Sequence, residues 1–225
     1  MAEGGAKNVA RRDGMGTTLL SAVEAIGRIP DAYFQAIGSG TGTIAAWENN
    51  LRLIEDGRFG THKMRLYPSQ NEPFTIMYDS WKLHSRQLVD MSPDDARKAA
   101  AEIDAKVLSN RKPPYSLAGG LFDAMEDAGG DMFKADNEEL RYWKKRFAEL
   151  EGIDIHDAPA VAVASLAQAV NEGVVKKDET IMLNITGGGE ELAKSEHEVF
   201  YAKPHLVLDP ALPPEDIVSA VKDLF

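Results

Sequence analysis

The sequence predicts an α/β layer fold, a mainly parallel sheet with helices on both faces. Three observations carry that expectation. Segments with helical spacing of apolar residues alternate with short apolar runs along most of the chain. One of these runs, AYFQAI at residues 32 to 37, is apolar on both faces, as a strand covered by helices on each side must be. Two glycine-rich bends, at 38 to 42 and 187 to 189, follow directly on strand-like runs, and ligands of parallel sheets sit at the carboxyl ends of the strands.

Taken in order, residues 1 to 16 carry four glycines and the charges of Lys7, Arg11, Arg12 and Asp13, and read as the middle of a domain rather than its start. Leu19, Leu20, Val23 and Ile26 mark an amphipathic helix over 17 to 26, stopped by Gly27 with Pro30 beyond. After the strand at 32 to 37 and the glycine bend, a helix over 43 to 55 is predicted with Ile44, Trp47, Leu51 and Ile54 on one face and Gly57 at its end. Residues 63 to 67 alternate as a half-buried strand, followed by a loop, PSQNEPF, in which Gln70 and Asn71 are turn residues with a smaller chance of entering a site. Ser92, Pro93, Asp94 and Asp95 open a helix running to about residue 108, and Pro113 and Pro114 break the chain after it.

A helix over 121 to 128, a Gly129-Gly130 stop and a strand over 131 to 134 come next. Asp136 and Glu139 then form a capping pair for a helix reaching residue 150, whose apolar stripe is Trp143, Phe147 and Leu150. The Lys144-Lys145-Arg146 run on that helix reads as a solvated face. An alanine-rich helix over 159 to 170, a strand over 180 to 185 ended by Thr186 and three glycines, a strand over 205 to 209 and a helix over 213 to 225 complete the order. Glu190 and Glu191 are candidate caps for the segment after the glycines.

Length permits one large domain or two small ones, with a substantial core. The net charge of −11 argues against nucleic acid or an anionic membrane as the partner, since either demands a positive surface. With no cysteine, disulfides, thiolate catalysis and cysteine-ligated metals are excluded. The five histidines show no metal-ligand spacing, so no metal site is expected. No signal peptide or membrane-spanning run is visible, and a cytoplasmic location fits.

The bend Gly38-Ser39-Gly40-Thr41-Gly42 between a strand and a helix is suited to a phosphate, because glycines let backbone N–H groups approach an anion and the helix N-terminus adds its dipole. It is neither standard nucleotide signature: Thr43 stands where the dinucleotide fingerprint has its third glycine, and the P-loop's Gly-Lys-Ser/Thr ending is absent. A tight turn that binds nothing is the competing reading.

The segments EGGAKNVARRDGMG, YFQAIGSGTG, IAAWE, SLAGGLFDAM, IHDAPAVAVASLAQAV and TIMLNITGGG together resemble the threonine synthase group of fold type II pyridoxal-phosphate enzymes, and within it the cysteate synthases of methanogenic archaea. The resemblance covers the second half of such an enzyme. It implies an incomplete fold type II (tryptophan synthase β-like) architecture, with residues 1–30 ending the smaller domain and crossing over, and 31–225 forming the C-terminal part of the large cofactor-binding domain. It implies pyridoxal 5'-phosphate as cofactor, its phosphate held by Gly38, Ser39, Gly40, Thr41 and Gly42, and its pyridine nitrogen facing Thr186. A neutral hydroxyl there does not hold the ring nitrogen protonated.

The implied reaction replaces the phosphate of O-phosphoserine by sulfite, giving L-cysteate on the route to coenzyme M. Threonine synthases usually continue the late motif as Thr-Gly-His-Gly-Leu-Lys; this chain has Thr186-Gly187-Gly188-Gly189-Glu190, which sets it apart from an enzyme acting on O-phosphohomoserine. Asn8 and Arg11 are candidate substrate contacts, a guanidinium being the expected tool for an anionic substrate. The family's Schiff-base lysine lies in a Ser-Phe-Lys-like motif that this sequence lacks. No catalytic residue is therefore expected in this chain; the lysine is expected from a missing N-terminal half, which a separate chain could supply, and a homo-oligomer is compatible. A noncatalytic phosphate- or nucleotide-binding α/β module stays open beside these readings.

Overall fold

In the computed structural model, which describes residues 5–209, 211–222 and 224, four strands form one parallel sheet: β1 (Ala32–Ala36), β2 (Arg65–Asn71), β3 (Phe133–Ala135) and β4 (Ile181–Leu183), in the order β3-β2-β1-β4. Alternation along the central strands sends successive side chains to opposite layers, and both layers are dry. Tyr33 and Leu66 join a core with Ile44 of α2 (Thr41–Asp56), Leu19 and Val23 of α1 (Val9–Ile26), and Leu121 and Met125 of α5 (Leu121–Ala128). On the other face Phe34 stacks on Tyr67 with ring centroids 4.8 Å apart, beneath α7 (Asp157–Asn171). The buried face of α7 is made of Ala160, Val161, Ala162 and Ala164, small enough for the helix to approach the sheet closely. Helix α6 (Asn137–Glu151) flanks α7 and begins with the expected Asp136–Glu139 capping box.

The elements differ from expectation in several places, the main ones for a physical reason. Helix α1 starts at Val9, capped by Asn8, and runs through Gly14 and Gly16; a Cβ on Gly16 would lie 1.8 Å from the Asn49 amide of α2, so this glycine permits close helix packing. Strand β2 continues through Asn71, so Pro68–Asn71 is strand and not loop, held by β1 on one side and β3 on the other. Tyr67 is buried rather than on a solvent face, because both faces of the sheet are covered. An unforeseen helix α3 (Ile76–Lys82) follows, its first amides, Met77 and Tyr78 N–H, donating to Gln70 Oε1 at 2.9 Å each. Helix α4 (Pro93–Glu102) ends six residues short of 108, where Ile103 turns extended and buries itself, and Lys106–Leu108 forms a separate 3-10 turn.

The compact units are Met1–Glu191 and Leu192–Phe225. Helix α8 (Glu190–Glu196) opens with the last two residues of the first unit, and the second contains α9 (Pro214–Lys222). No strand forms at 205 to 209, where the residues are mostly exposed, and the helix expected over 213 to 225 is described through Lys222; its residues 223 and 225 lie outside the described residues.

Burial of two tyrosines gives the fold an alkaline limit. Desolvation raises the Tyr33 hydroxyl far above its ordinary value despite a hydrogen bond from Asn184, and raises Tyr115 to about 12, with Glu126 adding repulsion. Above about pH 10 the unfolded chain gives up these protons while the folded one keeps them, so stability is intact below that pH and falls as pH rises beyond it. Urea denaturation of wild type between pH 9 and about 12 is expected to show this slope, and Tyr33→Phe a shallower one; equal slopes would refute the assignment.

Candidate functional site

The site is assembled at the carboxyl end of β1, where the chain bends through residues 38 to 40 into α2. Gly40 sits at φ +77 as the N-cap of α2, a conformation that favours glycine. Having no side chain, it leaves the amides of Gly42 and Thr43 to a ligand or to water. Ser39 Oγ lies 2.9 Å from Thr41 Oγ1 and accepts the Thr41 N–H at 3.3 Å, so the two hydroxyls form one polar edge.

The other two glycines are fixed by packing. A Cβ on Gly38 would stand 2.6 Å from Val107 O, and one on Gly42 would stand 2.6 Å from the Gln35 amide. That amide belongs to a partly buried chain of hydrogen bonds: Asn184 Nδ2 donates to Tyr33 Oη at 2.8 Å, Tyr33 donates to Gln35 Oε1 at 2.8 Å, and Thr43 Oγ1 donates to the same oxygen at 3.3 Å.

Ser39 and Thr41 line a pocket of about 490 Å³ with Arg11, Lys7, Asn110 and Lys112, and among the described residues no carboxylate lines it. In a chain of net charge −11 this is a local reversal of sign. Arg12, next to Arg11, is committed elsewhere, donating to Glu48 at 2.8 Å and to the Ala6 carbonyl. Asn8 caps α1, its Oδ1 accepting the Arg11 N–H at 3.4 Å, so it holds the turn that presents Arg11. Lys7 is visible in the sequence as a lysine in a glycine-rich setting, but a place for it or for Lys112 in this pocket is not. The one available signal for Lys112 was its place immediately before two prolines, a charge on a stiff stretch.

Thr186 lines a different pocket, also about 490 Å³, with Gly187, His156, Asp157 and residues 104 to 107. The two glycine bends, both following strands, line separate pockets, and the Lys106–Leu108 turn that touches Gly38 borders the second. The triple glycine is explained by close approach to residues 154 to 156: a Cβ on Gly188 would stand 2.4 Å from Asp154 O, and Gly187 O accepts the His156 N–H at 3.0 Å. Asp154, not Glu190 or Glu191, supplies the cap, its carboxylate accepting both their N–H groups at 3.0 and 3.2 Å, while Glu190 Oε1 lies 3.0 Å from His156 Nε2.

Gln70 and Asn71 are fully buried structural residues rather than turn or site residues. The Lys144–Arg146 run faces solvent as expected and forms ion pairs, Lys144 with Asp157 at 2.7 Å and Arg146 with Glu149 at 2.5 Å. Among the described residues no group of His, Asp and Glu could hold a metal ion, and no helix is long and apolar enough to cross a membrane.

Residues 2–187 match the family of pyridoxal-phosphate dependent enzymes. The chain belongs to that family. Its curated relatives include cysteate synthase of Methanosarcina mazei, 50% identical over 92% of this chain and 50% of the relative, and that of Methanosarcina acetivorans, 50% identical over 96% and 52%. This chain therefore spans about half the length of the curated relatives it matches. Among solved structures, a fungal L-serine ammonia-lyase from Rhizomucor miehei is similar with a TM-score of 0.60 at 13% identity, covering 84% of this chain and 56% of that one. Serine racemase from Dictyostelium discoideum follows with a TM-score of 0.57 at 16% identity, covering 81% and 51%. These likenesses show the fold, that of the fold type II enzymes, and the family's cofactor is pyridoxal phosphate. The first pocket fits the phosphate of that group: it offers two hydroxyls, uncapped helix amides and the cationic side chains of Lys7, Arg11 and Lys112.

Proposed function

We propose that this chain is the phosphate-holding part of an enzyme that converts O-phosphoserine and sulfite to L-cysteate and phosphate, on the route to coenzyme M. The observation that carries the reading is the pocket that Arg11, Ser39 and Thr41 line together, in a chain whose relatives bear the name cysteate synthase. Pyridoxal phosphate, when bound, supplies an electron sink for the substrate's α-carbon. The Ser39 and Thr41 hydroxyls and the Gly42 and Thr43 amides hold its phosphate, with Gly38, Gly40 and Gly42 shaping the bend. Thr186 offers the ring nitrogen a neutral hydroxyl. Arg11, presented by Asn8, binds the substrate's anionic group.

In the net reaction the Cβ–O bond breaks and phosphate leaves with its electron pair. The sulfite sulfur supplies the pair of the new C–S bond, and the α-proton is removed and returned. For one cofactor to touch both Ser39 and Thr186, the Lys106–Leu108 turn between their pockets would have to shift.

The reading assigns the Schiff-base lysine to polypeptide outside this chain. Borohydride reduction in the presence of the cofactor, followed by peptide mass analysis, is expected to find no fully occupied pyridoxyl-lysine within residues 1–225; one such lysine would overturn that assignment. Mixed with polypeptide carrying the lysine motif, the chain is expected to form cysteate in a sulfite-dependent manner. Threonine from O-phosphohomoserine instead would overturn the substrate.

A further inference from the structure

The first pocket holds more positive charge than one phosphate ester needs. Beyond Arg11 it is lined by Lys7 and Lys112, neither of which forms an ion pair among the described residues. Both are held by backbone that is itself fixed. Lys7 ends a 3-10 turn, Gly5–Lys7, whose Ala6 carbonyl accepts from Arg12, and Arg12 is in turn held by Glu48. Lys112 follows an Asx-type turn in which Asn110 Oδ1 accepts the Lys112 N–H at 2.9 Å. The chain then runs into buried Pro113 and into Pro114, whose carbonyl accepts the Leu121 N–H at 3.0 Å, and Tyr115 Oη donates to Ser85 O at 3.0 Å.

Two exposed ammonium groups on pinned backbone, with no ion-pair partner among the described residues, give the wall of a cavity of about 490 Å³ a positive charge that an anion can use. The Ser39–Thr41 edge and the α2 amides already account for one. We propose that Lys7 and Lys112 form a second anion subsite in the same pocket, which takes a small oxyanion: the phosphate that leaves the amino-acid substrate or the sulfite that replaces it. This deepens the function proposed above and rests on it. Lys112 is the specificity-determining member, because the rigid turn fixes its position; Lys ammonium is a compact point charge that suits a small, exchangeable oxyanion better than a bidentate fork does.

The test is equilibrium binding of inorganic phosphate to the full chain, followed by phosphorus NMR and calorimetry, with and without saturating pyridoxal phosphate. One phosphate per chain is expected to bind while the cofactor is present. Lys112→Gln is expected to weaken that phosphate about tenfold or more, with Lys112→Arg partly restoring it and cofactor affinity little changed. Sulfite is expected to compete for the same phosphate. The subsite is refuted if pyridoxal phosphate expels all bound phosphate, or if Lys112→Gln binds phosphate as wild type does; in both cases the cofactor reading survives. If pyridoxal phosphate itself does not bind, the cofactor reading fails and takes the subsite with it.

Discussion

Replacing Gly130 by alanine is expected to remove at least about 4 kcal/mol of stability, enough to leave little folded protein. Two independent penalties meet there. Gly130 has φ +110, a backbone conformation that costs an L-residue about 1–3 kcal/mol. Its added Cβ would lie 2.0 Å from Leu66 O and 2.8 Å from Leu66 N and C, and these are backbone atoms near the start of β2, paired with β1, that cannot swing aside. Leu66 O is also the acceptor of the Asp131 N–H at 3.2 Å, and Leu66 N–H donates to Gly129 O at 3.0 Å, so relieving the overlap breaks the link that leads the chain into β3. Gly129→Ala is the control. Its φ of +73 with ψ −177 carries the same kind of backbone strain, about 1–3 kcal/mol, but its Cβ meets nothing within 4 Å, so the overlap penalty is absent and the smaller loss is expected. Thermal unfolding of both variants followed by circular dichroism decides the matter; if they melt together, the overlap with Leu66 is not what selects glycine.

The second large effect is expected at Asn71, where the substitution to alanine should cost about 3 kcal/mol. Asn71 is fully buried at the end of β2 and joins three segments. Its Nδ2 donates to Ala135 O at 3.0 Å and to Asn137 Oδ1 at 3.1 Å, while its Oδ1 accepts the buried Ala105 N–H at 3.0 Å. Asn137 continues the link, accepting from Asp104 N–H and donating to Glu102 O, each at 2.9 Å. Truncation strands the buried Ala105 N–H, at a cost of about 1–3 kcal/mol, and removes two further hydrogen bonds, although Ala135 O keeps the Glu72 N–H and Asn137 Oδ1 the Asp104 N–H. It also frees the 104–108 stretch that stands between the two pockets. A urea midpoint shifted by less than about 1 kcal/mol equivalent would mean that Asn71 is not the tie.

The legible parts of this fold are those whose signals are local. The Asp136–Glu139 cap, the small-residue face of α7, the glycine stops at Gly27, Gly57 and Gly129 and the bend into α2 all follow from residues close in sequence. Strand β2 was illegible past Tyr67 because Pro68, Ser69, Gln70 and Asn71 are turn formers by composition; they are buried strand because β1 pairs with Pro68 and Ser69, β3 pairs with Ser69 to Asn71, and the Gln70 and Asn71 side chains bond the start of α3 and the end of β3. The same limit applies to the site. Ser39, Thr41 and Arg11 stood out by their motifs. Lys7 and Lys112 gain meaning only when the turn at residues 5 to 7 and the loop at 110 to 114 meet over α2, which no spacing encodes.

The cationic pocket in an acidic chain has a kinetic consequence. An approaching anion feels the net −11 of the whole molecule first and the lysines and Arg11 last. At physiological salt the Debye length is about 8 Å, so mobile ions cancel the long-range repulsion well before they weaken contacts of a few ångströms. Added salt therefore quickens the arrival of an anion at this pocket while shortening its stay, and rate and residence time shift in opposite senses.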